Sequence, residues 1–163
     1  MRDLIRKAGA FWLVALLAAV GCDVGAVYDD NNRSPVAAIS QRKSWRAYGD
    51  LRNPQHALDG KWETVAVSNR NDYDNAVLAF DLGKPCLFNM VVIEHGPNER
   101  GFCGRVAVLT SMDGVHYSDQ KIGSGTRAVT TLLLDSPVLA RYVQLKVIVP
   151  GTRPWSVSEV YLQ

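Results

Sequence analysis

The sequence predicts an all-β protein, a sandwich or barrel of short antiparallel strands. Three observations carry this. Runs of four to nine residues rich in Val, Ile, Leu and Phe recur along the chain. Tight-turn sequences separate them. After residue 35, apolar residues never keep a 3.6-residue period for three turns, so no long amphipathic helix is expected.

The first element is a leader rather than part of the fold. Residues 1–7, MRDLIRK, carry three bases and one acid. Residues 8–20, AGAFWLVALLAAV, are apolar and uncharged, and Gly21 and Cys22 follow. A basic start, a short apolar core and a small residue at the cut describe a secretory signal over residues 1–21. The apolar run falls short of the roughly 20 residues of a membrane span. Leu17-Ala18-Ala19-Val20-Gly21-Cys22 resembles the lipobox of bacterial lipoproteins, which implies lipidation at Cys22. A thiol behind a secretory apolar run is an acyl acceptor, and two or three acyl chains anchor where one does not. The implied location is the bacterial cell envelope, lipid-anchored on the periplasmic or surface side of a membrane. Residues 22–35 are polar and turn-rich and read as a tether.

The domain itself is expected over residues 36–163. Candidate strands are 36–39, 76–82, 87–95, 105–111, 130–134, 142–149 and 157–162. Asp59-Gly60, Leu82-Gly83-Lys84-Pro85 and Asp113-Gly114 supply turns, with Gly accepting the positive φ that tight turns require. Evenly spaced short strands in a chain of this size mean one sandwich or barrel. With 47% apolar residues there is enough to fill one core.

Charge and motifs exclude whole classes of function. Without the leader, fifteen bases balance fifteen acids, so no basic field exists to gather nucleic acid. There is no Gly-x-Ser-x-Gly elbow, no His-Glu-x-x-His and no phosphate-cradling loop. Gly123-Ser124-Gly125-Thr126 lacks a following lysine and reads as a flexible turn. Asp72 and Asp74 sit in a loop without a motif around them. The chain is therefore expected not to be an enzyme. Its three histidines are scattered and form no transition-metal pattern.

Two cysteines remain after the leader. Export favours a Cys86–Cys103 disulfide. Geometry opposes it if the intervening runs pair as a direct hairpin. A nine-residue strand would hold the sulfurs roughly 25–30 Å apart at about 3.3 Å per residue, whereas a bond needs Cα atoms within about 7 Å. The residues leave both states open.

Five pieces in order then carry a family resemblance. They are Ala57-Leu58-Asp59-Gly60 with Thr64; Leu78-Ala79-Phe80-Asp81-Leu82-Gly83; 106–111 followed by Met112-Asp113-Gly114-Val115-His116-Tyr117; Ala140-Arg141-Tyr142-Val143-Gln144-Leu145; and Trp155-Ser156-Val157-Ser158-Glu159-Val160. Together they resemble the discoidin, or coagulation-factor type C, domain and the bacterial carbohydrate-binding modules of the galactose-binding-like group. The resemblance covers about 36–163 and implies a jelly-roll β-sandwich. In it Arg141 pairs a carboxylate and Tyr142 enters the core. It also implies a structural calcium ion, with Asp59, Thr64 and Glu159 as ligands and carbonyls near His56 and Lys61 completing an oxygen shell. That would explain a carboxylate in the middle of the last strand; the alternative is that Glu159 simply pairs with an arginine or lysine on the surface.

By the same resemblance, ligand meets loops at one end of the sandwich. The variable loops 68–75, 95–104 and 150–155 hold Arg70, Tyr73, His95, Asn98, Arg100, Phe102, Arg153 and Trp155. Rings stack on the C–H face of a sugar, while Arg, Asn and His hydrogen-bond its hydroxyls, and such polar groups discriminate sharply. The expected function is non-catalytic binding of a glycan or glycoconjugate by a membrane-anchored lipoprotein. The alternative is an adhesion or interaction module that grips an envelope protein with the same loops.

Overall fold

The computed structural model describes residues 39–69 and 74–163. The leader, Cys22, the tether, the candidate strand over 36–38, Arg70 and Tyr73 lie outside the described residues. Among those described, no helix is long and apolar enough to cross a membrane.

The described part is nearly all β, with every strand pairing antiparallel. In chain order the strands are β1 (Arg46–Gly49), β2 (Ala66–Val67), β3 (Val77–Glu94), β4 (Arg105–Ser111), β5 (Ser118–Ser124), β6 (Val129–Val149), β7 (Ser156–Val157) and β8 (Glu159–Leu162). Single 3-10 segments, Ile39–Ser44 and Pro54–Leu58, precede β1 and β2.

Two long strands organise the fold. β3 and β6 pair with each other, and each works twice. The first half of β3 lies between β1 and the second half of β6; its second half lies between β8 and the first half of β6. The β3–β6 register slips between Asp81 and Cys86, and again between Phe88 and Met90. Slips of this kind bend a strand and sharpen its twist, so one strand can pass from layer to layer. β4 and β5 extend the sheet beyond β6, and β2 pairs with β7.

Alternation sets the buried face. Along β6, Thr130, Leu132 and Leu134 are buried between exposed neighbours, and Val143, Leu145 and Val147 repeat the pattern. This period of two turns one face of the strand inward. Phe80, Leu82, Val91, Ile93, Val106, Val108 and Trp155 meet them in one core. Arg141, beside the Tyr142 that faces Asp81, donates to that carboxylate through Nε at 2.9 Å and Nη2 at 3.1 Å. That is the expected carboxylate partner. Tyr142 differs from expectation: it is only half-buried, with the Arg141 guanidinium 4.9 Å from its ring centre and Gly114 seated against the ring.

Strand by strand, the sequence reading holds for β4 and fails where turn residues sit inside a strand. Candidates 76–82 and 87–95 are one strand, because Gly83 takes φ 77° and the chain continues in pairing through Pro85. Candidates 130–134 and 142–149 are likewise one. Residue 39 begins a 3-10 segment instead of closing a strand. Polar β1 and β5 escaped notice because they bury little: every residue of β5 is exposed or half-buried. Cys86 and Cys103 are free, buried thiols. Cys86 lies within β3 opposite Ala140, and Cys103 lies in the loop before β4, so the possible disulfide is not formed.

Candidate functional site

Strand termini converge at one end of the sandwich. Glu94, ending β3, sits opposite Val129, which begins β6. Arg105, beginning β4, sits opposite Ser124 at the end of β5 and Val149 at the end of β6. The loops 95–104, 125–128 and 150–155 therefore emerge side by side. They enclose a cleft of about 460 Å³ lined by Val67, Pro97, Asn98, Glu99, Arg100, Gly101, Arg127, Arg153 and Pro154.

Backbone hydrogen bonds hold this rim. Loop 95–104 is tied to the turn before β6 by His95 N donating to Ala128 O (2.9 Å) and Ala128 N donating to Glu99 O (3.0 Å). It is tied to β7 by Ser156 N donating to Gly101 O at 2.7 Å. Within the loop, Gly101 N donates to Asn98 O at 2.6 Å. Gly125 and Gly151 press against the same loop: a Cβ on either would stand 2.0 Å from the carbonyl oxygens of Cys103 and Phe102 respectively. A side chain at these positions would force the loop away. Gly123 and Ser124 thus end β5, and Gly125 and Thr126 open a close-packed turn, with Thr126 N donating to Thr130 Oγ1 at 2.9 Å. The backbone that carries the rim's polar groups is thus ordered before any ligand arrives.

Three of the expected ligand residues meet in the cleft: Asn98, Arg100 and Arg153. Asn98 Nδ2 donates to Ser156 Oγ at 3.2 Å, which orients its amide. Two expected residues do not belong to it. Trp155 is fully buried, its backbone N donating to Ser68 Oγ at 2.8 Å, and its ring belongs to the core. His95 is 1% exposed. Its Nδ1 donates to Ser156 O at 2.7 Å, which leaves Nε2, 2.9 Å from Thr130 Oγ1, to accept from that hydroxyl. Burial holds the imidazole pKa below its usual value, although the Ser156 bond opposes this. His95 is a strut under the rim, not a ligand contact. Phe102 is half-buried and tilts against the His95 ring at 6.2 Å between centres.

Sequence reasoning missed Glu99 and Arg127. Arg127 Nε and Nη2 donate to Glu99 Oε2 at 2.8 and 2.6 Å. The two are 28 positions apart, and only the pairing of Glu94 with Val129 brings them together. Glu99 and its neighbours 97–101 were within a loop already under suspicion; nothing in the sequence drew residue 127 to it.

Of the expected calcium ligands, Asp59 and Thr64 bond each other, and Glu159 pairs with Arg42. Thr64 Oγ1 lies 2.9 and 2.8 Å from the two Asp59 carboxylate oxygens and donates to them, and Lys61 N donates to Asp59 Oδ1 at 2.9 Å. His56 belongs to the same loop, with Nδ1 3.1 Å from Val65 O. Glu159, buried at 2% exposure, instead forms an ion pair with Arg42, whose Nη2 also donates to Ala57 O at 3.1 Å. Neither Glu159 oxygen accepts a hydrogen bond among the described residues, so Arg42 is what neutralises it. The oxygens suit a cation, but the cation they hold is a guanidinium. No group of three or more His, Cys, Asp or Glu side chains is arranged for a metal among the described residues. Arg42 thus stands at the Glu159 carboxylate and the Ala57 carbonyl, oxygens of the kind a calcium shell would use.

The described residues thus form an antiparallel jelly-roll sandwich with a braced polar cleft at its loop end. Residues 35–160 match the family model described as F5/8 type C domain, and the chain belongs to that family. Comparison with curated proteins found no match. Several solved structures share the fold. The module CpGH89CBM32-5 from Clostridium perfringens, in complex with GalNAc-β-1,3-galactose, matches at TM-score 0.66 and 17% identity over 74% of this chain and 96% of its own. The family 32 CBM of C. perfringens NanJ, in complex with galactose, matches at 0.65 and 18% over 74% and 94%. Chitosan-binding module 1 of a chitosanase/glucanase from Paenibacillus sp. IK-5 matches at 0.60 and 17% over 73% and 92%.

Proposed function

We propose that this chain is a non-catalytic carbohydrate-binding protein of the bacterial envelope. It holds a saccharide in the cleft between loops 95–104 and 150–155, and a lipid on Cys22 fixes it to a membrane. The observation that carries the reading is the meeting of Asn98, Arg100 and Arg153 on a rim braced by backbone hydrogen bonds. An amide held by Ser156 and two guanidinium groups carried on a braced backbone can be met by a ring of hydroxyls and reject ligands that lack them. Family membership and the saccharides named with two of its structural neighbours support the ligand class. Glu99, the one carboxylate among the cleft's described lining residues, is engaged with Arg127. Glycoside hydrolysis by the usual route asks for two carboxyl groups.

The anchor rests on residues 1–22 of the sequence alone. Metabolic labelling with a fatty-acid analogue, lost in Cys22→Ser, tests it. For the ligand, the full-length chain in detergent is screened on a saccharide array. Specific binding that Asn98→Ala weakens is expected. No saccharide bound, with one stoichiometric envelope protein recovered in a pull-down, would overturn the reading.

A further inference from the structure

The cleft carries more positive charge than a neutral sugar requires. Arg100, Arg127 and Arg153 line it against the single carboxylate of Glu99. Arg127 is committed to Glu99 through two donors. Arg100 and Arg153 are exposed and hold no hydrogen bond or ion pair among the described residues. Two uncompensated guanidinium groups thus share one cleft, in a protein that beyond its leader has as many acids as bases. Like charges in one cleft repel, and a bound anion between them relieves that repulsion. The remaining lining is aliphatic, from Val67, Pro97 and Pro154, with no aromatic ring among the described lining residues. Trp155, the tryptophan nearest in sequence, is buried in the core. Charged donors are what the described lining offers.

We propose that the cleft selects an acidic saccharide, one bearing a carboxylate or sulfate group that Arg100 and Arg153 grip together. This rests on the saccharide-binding reading above. Guanidinium forks match the planar carboxylate and the tetrahedral sulfate oxygens, giving short, charge-assisted hydrogen bonds. Asn98 is left for a neighbouring hydroxyl. Glu99 neutralises Arg127 and repels a second anion on that side, so the acidic group is directed to the Arg100–Arg153 side of the cleft.

The test is calorimetry on the full-length chain in detergent with three probes: lactose, its sialylated form and its sulfated form. Binding of either acidic probe at least roughly tenfold tighter than lactose is expected, weakening as salt is raised. Sialylated and sulfated arms tell the two anionic groups apart. The Arg100→Gln/Arg153→Gln variant loses that preference, while Arg100→Lys, keeping the charge but not the fork, falls between. Unchanged circular-dichroism melting shows that these exposed substitutions leave the fold intact. Equal binding of lactose and both acidic probes overturns the inference and leaves the saccharide-binding function standing. Binding of none of the three here, together with an empty saccharide array, overturns both.

Discussion

Arg42 Nη2 pairs with Oε2 of Glu159, a carboxylate buried at the first position of the last strand. The same guanidinium lies 4.3 Å over the ring of Tyr161 and caps the carbonyl of Ala57. One side chain therefore clasps the start of the described fold to its end. Removing one partner strands a buried charge, which costs about 3–5 kcal/mol, whereas removing both charges is far milder. Arg42→Ala should lower the melting temperature sharply, and Arg42→Met/Glu159→Gln should recover most of the loss. Because the clasp is internal, calcium or a chelator should leave the melting of the natural protein unchanged. A chelator-induced drop would show that a divalent ion, not Arg42, holds Glu159.

His95 gives the fold a dependence on pH. Its imidazole is neutral in the folded state, with its pKa lowered by burial. In the unfolded chain it takes up a proton near its ordinary value of about 6.5. Below that pH the unfolded state binds more protons, so stability is complete above about 6.5 and declines as pH falls toward the lower folded value. Thermal melts between pH 7.5 and 5 should show this decline. His95→Gln should flatten it, at a fixed cost of about 1–3 kcal/mol for the disturbed pair of hydrogen bonds to Ser156 and Thr130.

Trp155 tests whether the ring serves the core or a ligand. Its side chain is fully enclosed, packed in the cluster that includes Phe80, Val106 and Val157. Truncation to alanine removes that buried area and leaves a cavity, at a cost of about 3–5 kcal/mol. Trp155→Ala should therefore melt earlier even without ligand. A variant that melts normally and loses only saccharide affinity would return Trp155 to the binding surface.

Trp155 and Arg127 together mark what the sequence could and could not convey. Alternation of apolar residues revealed that β4 and the ends of β3 and β6 are strands, because the burial that drives the fold writes that period into the chain. It did not reveal that Gly83 and Pro85 lie inside a strand, since a bulged strand and a turn use the same residues. Loop composition located the cleft near Asn98, Arg100 and Arg153, but residue type does not fix direction. An aromatic or histidine at a loop edge can turn either way, and both Trp155 and His95 turned inward. Arg127 enters through strand pairing across the sheet, a relationship no local window contains. Glu159 was rightly singled out as a carboxylate needing a cation. That the cation is a side chain 117 positions upstream is again a matter of tertiary placement.

The thiols supply a last prediction. Cys86 and Cys103 are buried and unbonded. Burial pushes the Cys86 thiol up to about 11 and the Cys103 thiol up to about 12. The thiolate is the reactive form, so near neutral pH both should resist a thiol reagent in the folded protein. Cys103 is further shielded because Gly125 packs on its backbone from one side. In Cys22→Ser, native protein should label slowly, whereas denatured protein should yield two thiols per chain without any reductant. The melting temperature should not change on adding dithiothreitol. Two thiols appearing only after reduction would mean that the pair closes into a disulfide, and that β3 and the loop before β4 approach each other in a way this fold does not provide.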